Sequence, residues 1–122
     1  MGEKELILRK KMIERAIIKR FKTLNLEAEV VENGCYYRAR RMASIIKRTH
    51  PSWIVELKKL ISGDGAKLYP MIPEAEFWHH WICIGGGTVW DPLFGAVVSE
   101  EDYLARNFPN QTVRVSEKEF YS

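Results

Sequence analysis

At 122 residues the chain is expected to form one domain, 1–122, with a modest core and no room for a second. Apolar residues make up 46% and charged residues 29%, a globular balance, and the longest apolar run, Phe77 to Trp90, is too short and too interrupted by His and Gly to span a bilayer. Net charge is +3, with eight basic and three acidic side chains over 1–22 and seven basic and one acidic over 38–59, a surplus that suits an acidic partner.

The opening MGEKELILRKK lacks the apolar stretch of a secretory signal. The expected compartment is therefore the reducing cytoplasm, with signal-independent export left open, and Cys35 and Cys83 are read as free thiols. Two cysteines this far apart match no zinc spacing, so neither a metal nor a cofactor is expected.

Within residues 1–25, Lys4 to Leu24 reads as an amphipathic helix. Ile13, Ile17, Phe21 and Leu24 recur at helical spacing, widened by Met12 and Ala16. Leu26 to Val31 forms a link, and Glu32-Asn33-Gly34 is a turn signal. A second helix starts at or just beyond that turn, with Cys35, Ala39, Met42 and Ile46 on one face and Ala43 beside them. Thr49-His50-Pro51 breaks it. The spacing of Trp53, Leu57 and Leu60 predicts a third helix, opened by Pro51 and stopped at Ser62-Gly63-Asp64-Gly65.

Ala66 to Glu76 is a loop containing Pro70 and Pro73. Phe77 to Ile84 then reads as a strand, Gly85-Gly86-Gly87 as its turn, and Thr88 to Asp91 as the returning strand. Strict alternation sends Phe77, His79, Trp81 and Cys83 to one side and Trp78, His80, Ile82 and Ile84 to the other. Asp91-Pro92-Leu93-Phe94-Gly95 is a tight turn, and Ala96 to Val98 a short strand. Ser99, followed by Asp102, caps a brief helix around Tyr103 and Leu104. Thr112 to Val115 is a last strand before a polar tail. Helices first and strands later indicate an α+β domain with N-terminal helices packed on a small antiparallel sheet.

Three residues carry a chemical pattern. Cys35 stands at a helix N-terminus, where unpaired N–H groups and the helix dipole favour a thiolate. His79, near a strand start, is positioned to exchange a proton with it, and Asp91, one hairpin later, to hold the imidazole in place. His80 is the alternative base, since alternation lets only one of the pair meet Cys35. His50 reads as an exposed or capping residue and Cys83 as core. Trp78, Trp81 and Trp90 read as sheet and core, with Trp81 a shield for the His–Asp pair. Tyr36 and Tyr37 are candidates for a substrate groove or a half-buried helix face.

The segments His79-His80-Trp81-Ile82-Cys83-Ile84 and Val89-Trp90-Asp91-Pro92-Leu93-Phe94-Gly95, with Asn33-Gly34-Cys35 ahead of them, resemble the papain-like and transglutaminase-like cysteine hydrolases. The Asp-Pro-x-Phe-Gly stretch is similar to that of bacterial effector cysteine proteases. The resemblance covers residues 33–98. It implies a papain-like fold, a triad of Cys35, His79 and Asp91, and hydrolysis or acyl transfer at an amide or isopeptide bond of a peptide or protein. The family's Gln ahead of the cysteine has no counterpart here. The Cys35 N–H and the Asn33 amide are the expected oxyanion donors in its place. The rival reading is a small basic module that binds nucleic acid or protein, including a papain-like relative without activity. Zinc-finger, phosphate-loop and RNA-stacking signatures are all missing from the sequence, which disfavours nucleic acid.

Overall fold

A computed structural model describes residues 15–23, 34–71 and 77–122 of the chain. Residues 15–23 are helical (α1), and the predicted Ile17 and Phe21 are both buried there. The rest of the predicted first helix, with Met12, Ile13 and Leu24, lies outside the described residues, as do the link over 26–31 and Asn33.

Helix α2, Gly34–Thr49, forms where the helical period of apolar residues demanded it. Cys35, Ala39, Met42, Ala43 and Ile46 are all buried along one stripe. Lys47 and Arg48 occupy the last turn, where cations offset the helix dipole. Thr49 Oγ1 donates to Ile45 O at 2.8 Å, and Pro51 cannot continue the ladder.

Five strands form one antiparallel sheet in the order β4-β3-β2-β1-β5, comprising β1 Val55–Ser62, β2 His80–Gly85, β3 Thr88–Asp91, β4 Gly95–Val97 and β5 Val113–Tyr121. The middle strand, β2, is buried at every position. Helix α2 lies against it and also meets β1, β3 and β5. Ile46 packs closely over Gly85, where an added Cβ would stand 3.1 Å from the Ile46 side chain. Among the described residues, no helix is long and apolar enough to cross a membrane.

The third helix predicted from Pro51 to Leu60 is instead a turn followed by β1. Val55 and Leu57 are buried in alternation, then the phase slips, and Leu60 and Ser62 are buried next. The pairing of β1 with β5 shifts register between Lys59 and Leu60, at the same place. That slip sets the buried Leu57 and Leu60 three positions apart, a spacing that imitates a helix.

The last strand is also longer than its apolar signal, Thr112 to Val115. Residues 116–121, predicted as a polar tail, belong to β5. An edge strand tolerates polar side chains, and here they pair with β1: Glu117 with Lys59 at 3.5 Å, and Lys118 with Glu56 at 3.4 Å.

Helix α3, Glu100–Asn107, is capped as the sequence indicates, with the Ser99 hydroxyl accepting from Asp102 N at 3.1 Å. Glu100, Glu101 and Asp102 fill its first turn, where negative charge is favoured. Its inward face buries Tyr103 completely.

Candidate active site

The site forms where the start of α2, the start of β2 and the end of β3 converge. Cys35 is the second residue of α2, pinned by the apolar stripe behind it. His80 is the first residue of β2, and the two-residue Gly86-Gly87 turn sends the chain back to Asp91, the last residue of β3. Both glycines have positive φ, 61° and 80°, which a tight hairpin of this hand requires.

The His80 ring joins the other two residues. Its Nδ1 lies 3.0 Å from Cys35 Sγ, and its Nε2 lies 2.6 Å from Asp91 Oδ2. Cys35, His80 and Asp91 are 2%, 1% and 2% exposed, so both contacts are shielded from water. Asp91 Oδ1 accepts from Leu93 N at 2.9 Å and from Phe94 N at 3.4 Å. The aspartate therefore caps the turn it opens and orients the imidazole with its other oxygen. Tyr103 donates its hydroxyl to Oδ2 as well.

Phe94 and Phe77 flank the imidazole, with ring centroids 4.9 Å and 5.5 Å from it. These rings do the shielding expected of Trp81, which packs edge-on against Tyr36 at 4.7 Å instead. Tyr36 in turn donates to Glu119 of β5 at 2.9 Å, a tie between helix and sheet, while Tyr37 is exposed. From one turn along α2, Arg38 Nη2 donates to Cys35 Sγ at 3.6 Å.

Charge follows from this geometry. Burial drives the His80 ring toward its neutral form, but the Asp91 carboxylate and its hydrogen bond, with the Cys35 contact, outweigh it. The net effect raises the ring from the usual 6.5 to about 10. Burial likewise pushes Asp91 up, yet His80, Tyr103 and Leu93 N together hold it below the ordinary carboxylate range. The Tyr103 phenol is raised, by burial first and by Asp91 second. The imidazolium form can donate at both nitrogens at once, to the sulfur and to the carboxylate.

The histidine assignment is corrected here. His79 precedes β2 and is half-buried, and His80 is the ring between Cys35 and Asp91. Alternation counted from Phe77 fails because the ladder begins only at His80. Its cross-strand neighbour is Leu60, the residue that the phase slip in β1 carries into the core. Trp78, expected in the core, also precedes the strand and is 56% exposed. Cys83 is fully buried opposite Trp90, as a core residue, and burial pushes its thiol up. His50 is half-buried, with Nδ1 3.1 Å from Ser52 Oγ and its ring stacked near Trp53.

Tyr103 is the participant that sequence reasoning missed. Its only local signal is the Ser99 cap, which places an aromatic residue on the first turn of a short helix, and nothing local says that this face meets Asp91. Among the described residues, no cluster of three or more His, Cys, Asp and Glu is arranged to hold a metal ion. Comparisons of the chain with protein-family models, with curated proteins and with solved structures gave no match.

Proposed function

We propose that the chain is a cysteine-dependent hydrolase or acyltransferase of papain-like type, acting on an amide or isopeptide bond through Cys35, His80 and Asp91. The observation that carries this reading is the buried relay in which one imidazole touches a thiol at 3.0 Å and a carboxylate at 2.6 Å. Structural cysteines need no such partner, and nucleophilic ones do. In the reaction, Sγ attacks the carbonyl carbon and a C–S bond forms, the thiol proton residing on His80. His80 passes that proton to the leaving amine as the C–N bond breaks. Water or a second amine, deprotonated by the same ring, then cleaves the thioester and restores the thiol. Asp91 holds the ring in position throughout, with Tyr103 and the two turn N–H groups fixing Asp91.

Burial favours a second reading. Because Cys35 is 2% exposed, a substrate reaches the sulfur only after the groups around it move. A binding module of papain-like descent would keep the same three residues as a structural network without turnover.

The two readings separate on acylation by p-nitrophenyl acetate, followed by nitrophenolate release and by the mass of the Cys35 peptide. The enzyme reading expects acyl-Cys35 in the native chain and in His79→Ala, none in Cys35→Ala, and a rate lower by about 10²–10⁴-fold in His80→Ala. Native Cys35 that stays unacylated, or acylates equally fast without His80, leaves the binding module as the conclusion.

A further inference from the structure

Arg38 is a charged side chain in contact with the sulfur that the relay does not use. It sits three residues after Cys35, so both project from the same side of α2, and its guanidinium donates to Sγ at 3.6 Å. That contact is long and weak for a group with five donors. Several other cations have closer partners: Lys58 with Glu100 at 2.8 Å, Lys59 with Glu117, Lys118 with Glu56, and Arg40 with the Tyr36 hydroxyl. Among the described residues Arg38 forms no ion pair. Helix α2 contains no acidic residue that could neutralise it. Asp91 is spoken for by His80, Tyr103 and two backbone N–H groups. Arg38 is half-buried, with Nη2 against the sulfur.

We propose that Arg38 is the anion-recognising residue of this site, so that its substrates carry a carboxylate close to the scissile carbonyl. A carboxylate offers a guanidinium two parallel charge-assisted hydrogen bonds, far stronger than its contact with sulfur. Exchanging one for the other draws Arg38 off Sγ, which links recognition to the surroundings of the nucleophile. This inference rests on the Cys35–His80 reading above.

Parallel alkylation with iodoacetate and iodoacetamide tests it. Each reagent forms the same C–S bond at Cys35 and expels iodide, and they differ only in carboxylate against amide. Rates are read from the Cys35 peptide by mass spectrometry, with the urea-unfolded chain as reference. The iodoacetate-to-iodoacetamide ratio is expected to exceed the unfolded value by on the order of tenfold. It should fall to the unfolded value in Arg38→Gln and only part of the way in Arg38→Lys, both variants first shown to melt like the native chain. An unchanged ratio in Arg38→Gln, an equal loss with both reagents, or a native Cys35 that reacts with neither overturns the proposal. His80→Ala separates the two claims: it should slow both reagents together and preserve the ratio. Unchanged rates in His80→Ala with a ratio that still depends on Arg38 would sink the nucleophile–base pair and leave the anion site standing.

Discussion

Tyr103 on α3 gives its hydroxyl to Asp91 Oδ2, the same oxygen that faces His80 Nε2. The carboxylate is thus held from the helix side as well as from its own turn, and α3 becomes part of the site through Tyr103. Tyr103→Phe removes one donor from a buried, charged acceptor and leaves the ring packing in place. It is expected to cost about 1.5–3 kcal/mol in urea unfolding and to move the Asp91 carboxyl upward in a carbon-detected NMR titration. An Asp91 titration identical to that of the native chain would remove Tyr103 from the relay.

His80 should titrate far outside the usual histidine range. Its ring protons are expected to keep imidazolium shifts through neutral pH and to change only near pH 10. Because the folded value lies above the unfolded one, the group's contribution to stability is complete below about pH 6.5 and is lost as pH rises toward 10. The urea midpoint should accordingly fall from pH 7 to pH 10, and this fall should vanish in His80→Ala. Asp91 has the opposite sign. Its lowered pKa contributes stability above about pH 4, and that contribution is lost on acidification.

Asp91→Asn is expected to be costly to the fold as well as to the relay. The amide cannot accept from His80, Tyr103, Leu93 N and Phe94 N together, and it leaves a buried imidazolium without its counter-charge. A loss of about 3–5 kcal/mol follows, a large share of the 5–15 kcal/mol typical of a domain. Denaturant unfolding measures it directly, and a midpoint equal to that of the native chain would show that the pair is not ionic.

The hairpin that delivers Asp91 depends on Gly86. A Cβ there would stand 2.6 Å from the Trp53 ring, and φ is +61°. Gly86→Ala should therefore lower stability by about 1–3 kcal/mol, while Gly87→Asn, with open space around it and a side chain that tolerates positive φ, should change it by less than about 1 kcal/mol. Thermal melts of the two variants make the comparison, and equal melting temperatures would contradict the Trp53 contact.

Much of the local architecture was legible in the sequence. The apolar period from Cys35 to Ile46, the Gly86-Gly87 turn, the Asp91-Pro92 turn and the Ser99 cap each depend on residues within a few positions of one another. For the same reason Cys35 and Asp91 could be singled out, because each announces itself at an element boundary. The segment from Pro51 to Leu60 was misread, because its apolar spacing is that of a helix and its strand identity comes from partners twenty or more residues away. Likewise, the polar stretch from Ser116 to Tyr121 is a strand only because β1 offers it a ladder and matching charges.

By itself, then, the sequence determined the helix that carries Cys35 and the hairpin that carries Asp91, since local periodicity and turn chemistry suffice for both. Only the tertiary structure decided which histidine stands between them and that Tyr103 joins them. A strand reverses its faces with every residue, so only one of His79 and His80 can face Cys35, and which one does depends on a long-range ladder in which β2 begins to pair with β1 at His80, opposite Leu60.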